Sequence, residues 1–227
     1  MVDMIGSMRA AIAVLGLALL SLTPRAGAGA ELSVLVSDSE GRPVPDAVIT
    51  LAPRSAEAIA VAARAPALAP RVVIDQRNET FIPYVQIVPR GGEVAFSNSD
   101  LTRHHVYSFS PVKAFEFVLA PGESSAPVRL ERLGVVAVGC NIHDRMVAYL
   151  YVTDLPWATL TDRQGRAVVH GLADGGYMLH TWHPRLRPGR PEPTQPVDLA
   201  GASGQEAVTL TLLRDQPHQP DPERSRY

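Results

Sequence analysis

The run GVVAVGCNIHDRMVAYLYV, residues 134–152, contains the only cysteine of the chain. An apolar stretch with strand character precedes Cys140, and a second one begins after Met146. The intervening residues therefore read as a tight loop between two strands. On it Cys140, His143 and Met146 come at steps of three. Each has an ordinary structural role when taken alone. A lone cysteine at a strand end is most often a small buried hydrophobe, a methionine fills core space, and a loop histidine is solvated. In this order on one loop, thiolate, imidazole and thioether form a set of soft and borderline donors. Two histidines, a cysteine and a weak axial methionine are the ligand list of an electron-transfer copper site.

That list requires a second histidine from another part of the chain. FSNSDLTRHHVYSF, residues 96–109, supplies two candidates. Asn98 and Asp100 mark a turn, and His104 and His105 open the next strand. Strand phase leaves both open: His104 shares a face with Val106 and Ser108, and His105 shares one with Tyr107 and Phe109. The spacing from Asn98 and the following Val106 favour His104, with His105 hydrogen-bonding near the site or on the surface. A metal-bound imidazole needs its other nitrogen held, which suits Asn98 or Asp100.

The bulk properties agree with an exported β-protein. With 227 residues, 46% hydrophobic and 19% charged, the chain is long enough for one or two globular domains. A formal net charge of −2 argues against a nucleic-acid binder. Twenty prolines and 17 glycines punctuate short apolar runs, the texture of strands and turns. Residues 1–30 read as a secretory signal peptide: Arg9, a short apolar run, then small residues that permit cleavage after Ala28 or Ala30. The expected location is therefore periplasmic or otherwise exported, with no membrane span left after cleavage. A single cysteine in an oxidising compartment cannot form an internal disulfide, and a free thiol there is best buried or bound to metal.

Three blocks follow the signal. Residues 31–52 offer two strands, 71–153 a series of short strands, and 157–213 four or five more. Residues 53–70 are Ala/Pro-rich and read as a linker with one helical turn. Residues 214–227 are polar, Pro-rich and expected to be disordered. DSEGRPV (38–44) and DRQGRAV (162–168) share Asp-x-x-Gly-Arg-x-Val after an apolar strand, the chemistry of type I turns at hairpin tips. Two strands are too few to bury a core, so the first and third blocks are expected to form one small β-sandwich with 71–153 inserted.

The segments NSDLTRHHV and GVVAVGCNIHDRM resemble those of cupredoxins, blue copper proteins of the amicyanin and plastocyanin kind, within exported proteins usually named methylamine utilization proteins. The outer blocks, through their turn pattern, resemble a carboxypeptidase regulatory-like (transthyretin-like) domain. The resemblance implies an all-β chain, a Greek-key cupredoxin sandwich in or beside a second sandwich. It also implies one type 1 copper held by His104, Cys140, His143 and Met146. The family usually has Asn immediately after its first histidine, where this chain has His105. The implied role is a one-electron carrier, not an enzyme, with electrons leaving by the His143 edge beside an apolar patch including Ile142 and Pro83. The implied partner is a redox protein such as an amine dehydrogenase or a cytochrome. The alternative is a binding or scaffold protein of the β-sandwich class, or a copper-sequestering one. His170, His180 and His183 read as structural or exposed. Asn78-Glu79-Thr80 matches a glycosylation acceptor, a low-information pattern given no weight.

Overall fold

The computed structural model describes residues 29–201 and 203–214. Most of the expected signal segment and all but the first residue of the expected disordered tail lie outside the described residues. The elements run β1 (Ala30–Asp38), β2 (Val48–Pro53), α1 (Ala56–Ala62), β3 (Arg71–Gln76), β4 (Phe81–Ile82), β5 (Val85–Pro89), β6 (Glu93–Asn98), β7 (His104–Ser110) and β8 (Lys113–Leu119). They continue with β9 (Val128–Arg129), β10 (Gly134–Cys140), β11 (Val147–Thr153), β12 (Trp157–Leu160), β13 (Arg166–Leu172), β14 (Gly175–Trp182), β15 (Thr194–Leu199) and β16 (Ser203–Leu210). Among the described residues the fold is all-β apart from one short helix.

Four sheets form, in the orders β13-β1-β16, β12-β2-β14-β15, β4-β3-β6-β9 and β5-β11-β10-β7-β8. Alternating burial along β1 and β6 gives each strand one inward face. The first two sheets share one core, with Leu32, Val34, Ile49, Leu51, Tyr177 and Leu179 among its residues. The other two share a second, which includes Ile74, Phe96, Val106, Leu130, Val138 and Leu150. β1 pairs with β13 and β16, and β2 pairs with β12 and β14, so the ends of the chain complete each other's sheets. β3 to β11 pair among themselves.

The repeated turn motif folds alike in both places. Asp38 Oδ1 accepts from the amides of Glu40 and Arg42, and Asp162 Oδ1 from those of Gln164 and Arg166. Gly41 and Gly165 take positive φ, as this tight reversal requires. Both reversals close as hairpin tips, with Asp38 N donating to Arg42 O (2.9 Å) and Asp162 N to Arg166 O (2.8 Å), but the arms do not go on pairing with each other as long strands. β1 and β2 enter different sheets, as do β12 and β13, so both motifs turn the chain from one sheet to the other. In the same way the run FIPYVQIV divides into β4 and β5, which join different sheets. Pro83 lacks the N–H needed to continue a ladder. The stretch 53–70 carries α1, capped by Ser55, whose Oγ accepts from Ala58 N (3.2 Å). Ala58, Val61 and Ala62 dock this helix on the first core.

A third apolar cluster joins the two sandwiches. Val85, Ile87, Tyr149 and Tyr151 on β5 and β11 meet Val48, Leu160 and Trp182 on β2, β12 and β14. The Trp182 ring lies 5.8 Å from that of Tyr149 and 5.6 Å from that of Tyr151. Burial raises the Tyr151 phenol above its usual range, and its hydroxyl stays protonated to donate to Glu192 Oε2 (2.9 Å). Trp182 is only half-buried, so Trp182→Ala is expected to destabilise by about 3 kcal/mol, the low end for removing a large aromatic. Urea denaturation followed by far-UV circular dichroism measures the change.

Candidate metal centre

Two strands of the five-stranded sheet build the centre. β10 alternates, with Val136, Val138 and Cys140 pointing inward. β7 does the same with His104, Val106 and Ser108. The antiparallel register sets Cys140 opposite Val106, so the thiol meets the imidazole two residues up the neighbouring strand. Beyond Cys140 the chain turns at once. Asn141 N donates to His105 O (3.0 Å), Met146 N to His143 O (3.1 Å), and Cys140 N to Met146 O (3.3 Å). This small ring of backbone bonds brings His143 back over Cys140 and returns the chain to β11.

The resulting donor atoms face one another. Cys140 Sγ lies 3.7 Å from His104 Nδ1 and 3.9 Å from His143 Nδ1, and the two nitrogens are 3.2 Å apart. Metal bonds of about 2.0 Å to nitrogen and 2.3 Å to sulfur, in a trigonal arrangement, put donors about 3.5–3.7 Å apart. The spacing therefore fits one ion with shifts of a few tenths of an ångström. His104 is fully buried and Cys140 nearly so, while the His143 side chain is 20% exposed. Met146 is buried in the same apolar cluster as Cys140. Thiolate, two imidazoles and a neighbouring thioether are a donor set that suits copper.

The second nitrogen of each imidazole has a carboxylate beside it. His104 Nε2–H donates to Asp100 Oδ2 (2.8 Å), which directs Nδ1 at the sulfur. Asp100 is held in turn by the amides of Asn78 and Glu79. Nε2 of His143 lies 3.4 Å from Glu79 Oε1. Asn98 shapes the loop that delivers His104. Its Nδ2 donates to Thr102 O (2.8 Å) and Leu119 O (3.0 Å), and its Oδ1 accepts from Asp100 N (2.9 Å).

The two adjacent histidines lie on opposite sides of β7. His104 enters the cluster, whereas His105 lies on the opposite face and pairs with Glu116 Oε1 (2.7 Å). Asn98 and Asp100 are both brought to the site, by different routes. Ile142 is half-exposed on the ligand loop and Pro83 is half-buried. The sequence gives Asn78 and Glu79 no role at this site, because nothing in their own segment links them to Asp100 or His143. On the opposite face of the sheet the Tyr107 ring lies over Gly139, next to Cys140: a Cβ built on Gly139 would come within 2.8 Å of that ring. Beside the loop a cleft of about 910 Å³ separates Arg145, Met146 and Val147 from the Asp38–Asp46 turn, His183 and Arg185.

No family profile matches the chain, and no curated protein matches it. Solved structures do. A Cu-containing nitrite reductase, NirK, from Thermus scotoductus SA-01 aligns at 23% identity over 37% of this chain and 22% of its own, with a TM-score of 0.34. This chain thus spans under a quarter of that protein. A purple cupredoxin from Nitrosopumilus maritimus aligns at 21% identity over 36% of this chain and 98% of its own, with a TM-score of 0.32. Amicyanin from Paracoccus versutus aligns at 21% identity over 41% of this chain and 89% of its own, with a TM-score of 0.34.

Asp100→Ala is expected to weaken metal binding about 10–100-fold, the usual effect of removing a carboxylate that orients a ligand histidine. His105→Ala is expected to leave affinity unchanged. Competitive titration against a chelator of known affinity measures both.

Proposed function

We propose that this protein binds one copper ion in a type 1 site of His104, Cys140, His143 and Met146 and carries single electrons. One observation carries the reading. Three donors from two separate segments, His104, Cys140 and His143, converge with their ligand atoms within 4.8 Å of one another at the end of a β-sandwich. Copper held there supplies a one-electron couple. The chain's part is to keep the ligands in place in both oxidation states. His104 is locked by a partly buried carboxylate, Cys140 by the β7–β10 ladder, and Met146 by backbone bonds at both ends of the loop. Such fixed ligands suit electron transfer, because little has to move when the charge changes.

His143 is the exposed member, so electrons are proposed to leave by its outer edge, with Ile142 beside it on the same loop. The inferred partner is another redox protein, an amine dehydrogenase or a cytochrome, meeting this edge in a transient complex. The chain is proposed to work outside the cytoplasm, following the signal-like N-terminus. Among the described residues no helix is long and apolar enough to cross a membrane.

Titrating purified protein with Cu(II) is expected to develop an intense visible absorption band that saturates at one ion per chain. Cys140→Ser is expected to abolish the band, and Met146→Ala to keep a coloured site with a changed reduction potential. A wild-type protein that stays colourless and takes up no copper would refute the reading in favour of a scaffold.

A further inference from the structure

The two imidazoles are held unequally, and one small turn touches both holds. β3 and β4 are joined by a two-residue reversal, Asn78-Glu79, closed by Arg77 N to Thr80 O (3.0 Å) and Thr80 N to Arg77 O (3.1 Å). Both central residues have φ of 51°, the type I′ conformation. Asparagine tolerates the left-handed region and glycine is favoured at the second position, where this chain has glutamate. An unfavourable residue kept at a tight turn points to work for its side chain. The amides of Asn78 and Glu79 both donate to the Asp100 carboxylate, which holds His104. The side chain of Glu79 starts from that anchored backbone and reaches Nε2 of His143, on the solvent side of the donor cluster. His143 stands on a loop that is largely exposed, and Glu79 is the carboxylate at its outer nitrogen.

We propose that Glu79 is a positioning residue for His143, and that the Asn78–Glu79 turn clamps both imidazoles, one through its backbone and the other through this side chain. The inference rests on the copper reading for its redox consequence but not for its geometry. With the ring held from outside, Nδ1 of His143 stays aimed at the cation whichever charge the cation carries. The carboxylate also places a negative charge near the site on its exposed edge, which favours the higher oxidation state and lowers the reduction potential.

The test compares the full chain with Glu79→Gly and Glu79→Gln. Glycine preserves both amide donors and relieves the left-handed residue, so Glu79→Gly is expected to fold with a thermal midpoint at or above that of the wild type. In the metal-free protein its His143 ring is expected to lose order, read by ¹³C relaxation of the imidazole C–H groups. In the copper-loaded protein it is expected to release Cu(I) to a chelator about tenfold faster, the low end for loss of a ligand-orienting contact, and to show a raised reduction potential. Glu79→Gln keeps the reach without the charge, and is expected to restore ring order and release rate while leaving the potential raised. Unchanged ring order in metal-free Glu79→Gly overturns the proposal, as does a lowered thermal midpoint with release rate and potential at wild-type values. If wild-type protein takes up no copper, the copper reading falls on that result, and the metal-free ring order still decides the role of Glu79.

Discussion

Cys140 sits opposite Val106 across the β7–β10 ladder, and the metal centre follows from that register. Side chains in a strand alternate between faces, so a one-residue slip of β7 would exchange His104 for His105 and point the wrong imidazole into the core. Several contacts oppose the slip. β7 is paired along its length with β8, from His104↔Leu119 to Ser110↔Lys113. Val106 and Ser108 are fully buried on the His104 face. At the entrance to the strand, the Asn98 amide group bonds Thr102 O and Leu119 O, tying loop 98–104 to the end of β8. The position of one nitrogen therefore depends on a sheet, a core and a buried amide together.

Around the donors, polar groups are arranged from the inside outward. Asp100 is nearly buried, and its charge is matched by His104 Nε2–H and two backbone amides. Burying a carboxylate without such partners is costly, which explains why three donors, two from the Asn78-Glu79 turn and one from β7, converge on it. His143 is treated differently, with its ring edge partly in solvent and an exposed glutamate beside it. One imidazole is thus enclosed and fixed, while the edge of the other is left open to solvent.

Among the described residues, the outer sandwich contributes none of the three clustered donors. It covers the β5–β11 side of the five-stranded sheet with Trp182, Val48 and Leu160, and its Asp38–Asp46 turn borders the cleft beside Met146. Covering that face removes from water an apolar surface rich in tyrosine. It leaves the β7–β8 end exposed, where Phe109 is 76% accessible and its ring lies tilted 5.1 Å from that of Tyr107. The two Asp-x-x-Gly-Arg-x-Val turns serve this outer unit by carrying the chain between its sheets.

Much of this was written locally and could be read as such. Cys140, His143 and Met146 lie on one loop, and donor type plus short spacing disclose metal chemistry without any knowledge of the fold. Strand character was equally legible, because burial on one face imposes alternation within a few residues. Two adjacent histidines were harder: strand phase allowed either face of β7, the spacing from Asn98 and the following Val106 favoured His104, and the pairing with β10 and β8 turns His104 toward Cys140. The turn motifs were recognised from Asp and Gly, but whether their arms pair or diverge depends on which sheet each arm joins. Glu79 was invisible for a related reason: nothing within its own segment connects it to residue 143. Sequence determined the chemistry of the donors, because that resides in single side chains and short loops. Tertiary structure decided which donors meet and what holds them, because those contacts join strands and turns tens of residues apart.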